Sequence, residues 1–322
     1  MAEKKYTPMM QHYLKMKEEN PDSILFYRLG DFYEMFFEDA KLVSQELDLV
    51  LTGRSAGVEE KVPMCGIPFH AANSYIQRLV KKGYKVAICE QLEDPSSAKG
   101  LVDRGIIKII TPGTYMDATM DAKSTNYMAS CDVSSFEITV IYCELSTGEL
   151  KYQTLQRSLV ALQKALLEQN VSELVCPMTM DKKWMAALEE MDTMLISKHK
   201  KANIDPEDLP LLNGIESESL KEVFALLMAY LKDTQKQRID HFLPIESMDK
   251  DKVLVMDYET KNHLELVSSQ SSNAKAESLW SFMDKCQSAM GSRMLKRWIE
   301  YPLIDAETVS YTHLRAHETR GN

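Results

Sequence analysis

The first 115 residues alternate between helical and extended patterns of apolar positions. Helical spacing runs over residues 8–20, 38–51 and 72–83, and strand-like apolar runs cover residues 23–29, 84–92 and 105–113. Thr7 and Pro8 are typical of a helix start, and Pro21 ends that helix. Residues 62–71 (VPMCGIPFHA) carry two prolines and a glycine, so a loop is predicted there. Strands that alternate with helices predict a compact α/β or α+β domain over residues 1–115.

The remainder of the chain divides into further segments by the same criteria. Residues 116–126 are small and polar and are predicted to be a linker. Strand and helix patterns return over residues 127–248, which predicts a second α/β domain whose clearest amphipathic helix covers residues 218–233. The pattern then becomes mainly helical over residues 249–308. Residues 309–322 have no apolar period and are interpreted as a non-native tail on a truncated chain.

The charge of the chain is unevenly distributed. The formal net charge of −10 argues against a wholly basic nucleic-acid binder. Residues 1–115, however, contain 15 Lys and Arg against 16 Asp and Glu, whereas the rest contains 23 against 32. The first third of the chain can therefore approach a polyanion without strong repulsion.

The cysteines and the apolar runs indicate the cellular compartment in which the protein is expected. The six cysteines form no C-x-x-C pair and have no histidine cluster beside them, which argues against a zinc site or a disulfide framework. No run of about 18 apolar residues predicts a membrane span, and the first residues lack the apolar region of a signal peptide. A cytoplasmic protein with reduced thiols is expected.

The segment 30–36 (GDFYEMF) surrounds two aromatic rings with carboxylates. In an extended strand, Phe32 and Glu34 share one face, and Tyr33 and Met35 can pack inward from the other. The residues alone leave two interpretations open. Phe32 is a core residue beside a solvated Glu34, or its ring is held out to enter a base step of DNA and unstack it. Because phosphate repels a carboxylate, the second interpretation requires Glu34 to hydrogen-bond a base donor.

Other candidate chemistry has ordinary structural explanations. Asp31, Glu34, Glu38 and Asp39 could suggest a metal-dependent nuclease, but acidic residues are expected where a helix begins. The lysines at the end of the helix over 72–83 could meet phosphates or could cap that helix in solvent. The sequence contains neither G-x-S-x-G nor the phosphate loop G-x-x-x-x-G-K-[ST], so nucleotide hydrolysis is not expected.

Five ordered segments of the first third resemble one family. TPMMQHYLKMK, LFYRLGDFYEMFFEDA, VPMCGIPFHA, VAICEQLEDP and IITPGT are similar, in order and spacing, to the N-terminal mismatch-recognition domain of the MutS family of bacterial DNA mismatch repair proteins. MDYETKNHLEL and AMGSRMLKRWIEYPL resemble the start of the lever, or core, domain of that family. The resemblance covers residues 1–308.

The resemblance implies a fold for each segment. An α+β mismatch-recognition domain is expected over residues 1–115, and an RNase H-like α/β connector domain over residues 127–248. Residues 249–308 are expected to begin an α-helical lever domain. The overall fold class implied is α/β.

The resemblance also implies a site. In the family, the Phe of Phe-Tyr-Glu stacks at a mispaired or unpaired base and the Glu hydrogen-bonds that base, so these roles fall on Phe32 and Glu34. Met64, Gly66 and His70 are implied as possible contacts to the DNA backbone. No catalytic, cofactor-binding or metal-binding residue is implied for this chain.

The family members carry parts for which these 322 residues show no counterpart. The full-length family has a DNA clamp and a C-terminal ATPase that uses ATP and Mg²⁺, forms the dimer and signals to MutL. The chain is therefore expected not to be an enzyme, to be cytoplasmic and nucleoid-associated, and to bind double-stranded DNA with mismatches or small loops. The alternative is a folded fragment without DNA affinity that serves as a scaffold or interaction module.

Overall fold

Two six-stranded sheets, each covered by helices on both faces, form most of the protein. The computed structural model describes residues 6–92, 103–115, 126–212, 214–237, 239–248, 253–269 and 278–306. The predicted tail over 309–322 and, apart from Asn126, the predicted linker over 116–126 lie outside these ranges. The predicted domain boundaries remain predictions.

The elements follow the predicted alternation. In the described ranges, the helices are α1 (Pro8–Glu19), α2 (Phe37–Leu47), α3 (Ala72–Lys81), α4 (Leu159–Glu168), α5 (Lys182–Glu189), α6 (Glu218–Gln235), α7 (Tyr258–His263), α8 (Leu279–Met283) and α9 (Ala289–Glu300). The strands are β1 (Ser23–Leu29), β2 (Phe32–Phe36), β3 (Thr52–Arg54), β4 (Val62–Pro68), β5 (Lys85–Gln91), β6 (Arg104–Ile110), β7 (Tyr127–Val133), β8 (Glu137–Glu144), β9 (Glu149–Gln156), β10 (Val171–Pro177), β11 (Leu195–His199) and β12 (Glu246–Ser247). Short 3-10 helices cover Phe69–Ala71 and Leu209–Leu212.

The first sheet has the strand order β3-β4-β2-β1-β5-β6. β1 and β5 are parallel, and the other neighbours are antiparallel. One face packs against α2 and α3 through a cluster that includes Tyr33, Met35 and Ile67. α1 covers the other face with Met10 and Tyr13. α1 has 12 residues, and among the described residues Phe32 on the same face remains exposed.

The prediction of a loop over residues 62–71 is wrong. Residues 62–68 form β4, which pairs with β2 through residues 64–68 and buries Cys65 and Ile67. Pro68 fits because β3 has only three residues and pairs with 62–64, so residues 65–68 have an open edge on that side. Pro63 pairs with β3 but lies before Met64, where pairing with β2 begins, so its other edge is open. Proline is tolerated at such an edge, where no neighbouring strand needs its missing N–H.

The second sheet has the order β11-β10-β7-β8-β9-β12. β7, β8 and β9 form an antiparallel meander, and β10, β11 and β12 each run parallel to a neighbour. α6 packs on one face, while α4 and α5 pack on the other. A meander extended by parallel strands beside its first strand matches the expected RNase H-like arrangement, and the predicted α/β class is confirmed.

A buried carboxylate joins the two sheets. Glu173, in β10, is 0% exposed. It accepts hydrogen bonds from the Thr111 hydroxyl and, at 3.0 Å, from the Gly113 N–H, both on the segment that follows β6. Within the second unit, the hydroxyls of Ser197 (2.5 Å) and Tyr230 donate to the same carboxylate. Four donors around one buried anion satisfy it and fix the 111–115 segment against the second sheet.

The described residues of 253–269 and 278–306 carry the helices α7, α8 and α9 and contact the margin of the second sheet. Arg297 Nη1 lies 2.9 Å from Glu149 Oε1, and the Gln169 amide donates to the Tyr301 hydroxyl at 2.6 Å. Across the described ranges, no helix combines the length and the apolar composition needed to cross a membrane.

Candidate nucleic-acid interface

A tight hairpin positions the start of β2. Leu29 pairs with Phe32, so Gly30 and Asp31 alone form the turn. Gly30 has φ +59° at the first central position, which type II′ hairpins reserve for glycine. The Asp31 carbonyl accepts a hydrogen bond from the Phe69 N–H at 3.0 Å, which ties the turn to the end of β4. The backbone therefore fixes where the Phe32 side chain begins.

Side chains along β2 alternate between the core and the surface, as predicted. Tyr33 and Met35 are 7% and 0% exposed, whereas Phe32 is 47% exposed. The Tyr33 hydroxyl donates a hydrogen bond to Glu90. The pKa of the Tyr33 phenol is raised mainly by burial and, to a smaller extent, by this hydrogen bond. Tyr33 thus anchors the strand from below, and Phe32 is held on the outer face instead of in the core.

The predicted site residues form a strip on that outer face. Phe32 pairs with Pro68, Glu34 with Gly66, and Phe36 with Met64. Directly paired residues of antiparallel strands project to the same side. α1 covers one end of the strip, where the ring of Tyr13 meets that of Phe36 at a centroid distance of 4.9 Å. The Phe32 end is left open by the residues that the structure describes.

Glu34 is held by an arginine that comes from two strands away. Arg54, the last residue of β3, reaches past β4 and forms an ion pair with Glu34 Oε2 through Nη1. Its guanidinium also lies 5.9 Å from the centroid of the Phe36 ring. The Glu34 side chain is 15% exposed and the Arg54 side chain 36%, so the cation is the more accessible member.

A second exposed ring borders the strip. Phe69, in the 3-10 helix after β4, is 42% exposed. The guanidinium of Arg28 lies 3.8 Å from the centroid of this ring, a close cation–π contact. His70 is exposed and its ring meets that of Phe69 edge-on at 5.8 Å. His70 therefore lies on the turn beyond the strip instead of on the sheet face.

Sequence reasoning missed Arg54 and Phe69 as neighbours of Phe32 and Glu34. Both follow from the strand β4, which brings β3 and the 3-10 helix to the strip. Residues 62–68 contain no polar side chain, so the signal that could have revealed this strand is a short continuous apolar run and not an alternation.

The acidic residues considered for a nuclease point in different directions. Asp39 is buried and accepts hydrogen bonds from the Leu25 N–H at 2.9 Å and from Lys17 Nζ at 2.8 Å. Glu38 pairs with Lys41 at 2.7 Å on the surface of α2. In the part of the chain that the structure describes, no three His, Cys, Asp or Glu side chains converge as a metal site requires.

Two domains of this chain match known family models. Residues 7–119 match MutS domain I, and residues 259–313 match MutS domain III. The first match contains the whole of the first sheet with its strip, and the second contains α8, α9 and all of α7 except its first residue.

Curated relatives align with nearly the whole chain. The DNA mismatch repair protein MutS of Bacillus licheniformis is 43% identical over 304 residues, which are 93% of this chain and 34% of the relative. The proteins of the same name from Clostridium tetani and Bacillus subtilis are 41% and 42% identical over 95% and 93% of this chain. The chain spans about a third of the length of these relatives. With two domain models matched and this identity along its length, the chain belongs to the MutS family.

Proposed function

We propose that the open end of the strip binds double-stranded DNA at a mispaired or unpaired base. The ring of Phe32 is wedged into the defective base step, and Glu34 accepts a hydrogen bond from the displaced base. One observation carries this proposal: Phe32 is 47% exposed in a strand whose neighbouring side chains are otherwise packed. The name of the relatives, DNA mismatch repair protein, supports it.

A ring wedge fits this task for a physical reason. Inserting an apolar side chain unstacks a base step and kinks the duplex, which costs on the order of a few kcal/mol. The cost is smallest where pairing is already poor. A wedge therefore senses how easily the DNA deforms and does not need to read the hydrogen-bonding pattern of the bases. Met64 and Gly66, within the strip, and His70, on the turn beyond it, are proposed as neighbours of the DNA backbone.

We further propose that this chain does not hydrolyse ATP by itself, because its 322 residues contain no phosphate-loop motif. Use of ATP and Mg²⁺, self-dimerisation and contact with MutL are proposals for the full-length protein. Incubating the chain with ATP and Mg²⁺ tests the first statement, and the expected result is no phosphate release above that of buffer.

Fluorescence anisotropy tests the wedge. The probes are a labelled duplex with one unpaired T or a G·T pair and its fully paired twin. Phe32→Ala is expected to remove the preference for the defective duplex, with a loss of roughly 1–3 kcal/mol, the range for one base–aromatic stack. Phe136→Ala is the matched control, since Phe136 is 89% exposed but lies on the second sheet, next to β8.

The scaffold alternative makes a different prediction for the same experiment. If the wild-type chain binds neither duplex while circular dichroism shows an intact fold, the chain is a folded module without DNA affinity of its own. If it prefers the defective duplex but Phe32→Ala keeps that preference, DNA binding stands and the wedge is rejected.

A further inference from the structure

The ion pair between Glu34 and Arg54 answers an electrostatic difficulty in the proposed function. A lone carboxylate that approaches DNA is repelled by the phosphates, and the repulsion grows where water is excluded. Glu34 has its negative charge offset by Arg54, whose side chain is the more exposed of the two. A phosphate that approaches this surface therefore meets the cation more readily than the carboxylate.

The geometry also leaves Glu34 able to accept a second hydrogen bond. Among the described residues, the hydrogen bonding of the Glu34 side chain uses Oε2, which leaves Oε1 for a base donor. Gly66, the cross-strand partner of Glu34, has no side chain that could cover this oxygen. Arg54 is itself restrained by its pairing with Val62 and by the Phe36 ring beneath its guanidinium.

We propose that Arg54 is a positioning residue for mismatch recognition, which neutralises Glu34 and aims its free oxygen along the strip beside Phe32. The inference rests on the proposed function, and it adds a residue that acts through Glu34 instead of through a base. It requires Arg54 and Glu34 to be coupled in DNA binding.

A double-mutant cycle measures that coupling. Affinity for the unpaired-T duplex and for its paired twin is measured for the wild type, Arg54→Met, Glu34→Gln and the double variant. Arg54→Met is expected to weaken binding to the defective duplex about tenfold, the scale of one charge-assisted hydrogen bond. In the Glu34→Gln background the same change is expected to cost little, because no bare carboxylate remains. Arg54→Lys should restore part of the affinity.

Two further arms separate the possible failures. Arg157→Met, next to the end of β9, is the matched control, since the Arg157 guanidinium likewise makes one hydrogen bond, to the Ser134 carbonyl, and one ring contact. Unfolding in urea measures whether Arg54 and Glu34 are coupled in the DNA-free protein.

The outcomes are distinct. Equal losses from Arg54→Met in both backgrounds would overturn the inference and leave the wedge intact, provided that Phe32→Ala still removes the preference. Coupling seen in urea but absent from DNA binding would also overturn it, because the pair would then serve the fold alone. A wild type without any preference would overturn the proposed function and this inference together. Coupling confined to the defective duplex is the expected result.

Discussion

The N–H of Gly113 donates to Oε2 of Glu173 at 3.0 Å, which joins the end of the first unit to the middle of the second sheet. The approach leaves no space for a side chain. A Cβ on Gly113 would lie 2.9 Å from the Glu173 Cβ and 2.8 Å from the Met128 Cε. Glycine is needed here for close approach and not for an unusual backbone angle.

Gly113→Ala is therefore expected to destabilise the protein by about 1–3 kcal/mol, the usual cost of overpacking a buried site. Urea unfolding followed by circular dichroism measures the effect. Gly66→Ala is the control, because its Cβ would meet only the Tyr33 carbonyl at 3.4 Å and the Glu34 Cγ at 3.5 Å. Equal stability of the two variants would show that the junction is looser than described.

Gly66→Ala has a second use, because it changes the candidate interface without changing the fold. The added methyl group stands on the strip beside Glu34, where close contact with DNA is proposed. Affinity for the unpaired-T duplex is expected to fall by roughly 1–3 kcal/mol, again the cost of overpacking. Anisotropy measures it on protein whose unfolding midpoint matches the wild type. Unchanged affinity would place the DNA away from Gly66.

The six cysteines are expected to differ sharply in reactivity. Five are buried and Cys286 is half-buried. Burial raises the pKa of Cys65 to about 11 and that of Cys89 to about 12, and the thiolate is the reactive form. Ellman's reagent at pH 8 should therefore modify one thiol quickly and the others only in denaturant. Cys286→Ser should abolish the fast phase, and a fast phase that survives this change would contradict the burial pattern.

His12 is expected to make stability depend on pH. Its Nδ1 lies 3.0 Å from the Tyr27 hydroxyl. The pKa of His12 is lowered mainly by burial and, to a smaller extent, by the positive charge of Arg104. The unfolded chain, with a histidine pKa of about 6.5, then binds a proton more readily than the folded chain. Neutral His12 therefore contributes fully to stability above a pH of about 6.5. This contribution is lost as the pH falls through the pKa that His12 has in the folded protein.

The experiment compares urea unfolding at pH 7.5 and pH 5.5 for the wild type and His12→Gln. The variant should lose less stability between the two values, because its side chain cannot take up the proton. His263→Gln, at an exposed position in α7, provides the control and should follow the wild type. Identical losses in the wild type and in His12→Gln would reject the assignment.

Local rules predicted the elements whose signals lie within a few residues. Pro8 and Pro21 bracket α1, and Gly83, with φ +84°, follows the end of α3 as its position in the sequence indicates. The alternation in β2 was predicted for the same reason, since a strand sets its own period of two. For these elements the chain needs no knowledge of its distant partners.

Tertiary pairing decided the elements that sequence reasoning missed. β4 contains two prolines, and its strand conformation depends on β2 along one edge and on the shortness of β3 along the other. Arg54 and Glu34 are 20 positions apart in the chain, so no local sequence pattern predicts their ion pair. The role proposed for Phe32 rests on the family resemblance, whereas alternation alone predicted only that Phe32 and Tyr33 lie on opposite faces.

The alternation in β2 also limits how this protein can change. Substitution at Phe32 alters one exposed ring and leaves the packing of Tyr33 and Met35 untouched. Loss or gain of a single residue within the strand would exchange its two faces, burying the exposed set and exposing the core set. The length of the hairpin is therefore as strictly constrained as its buried residues, and variation at this site is confined to replacement of one side chain by another.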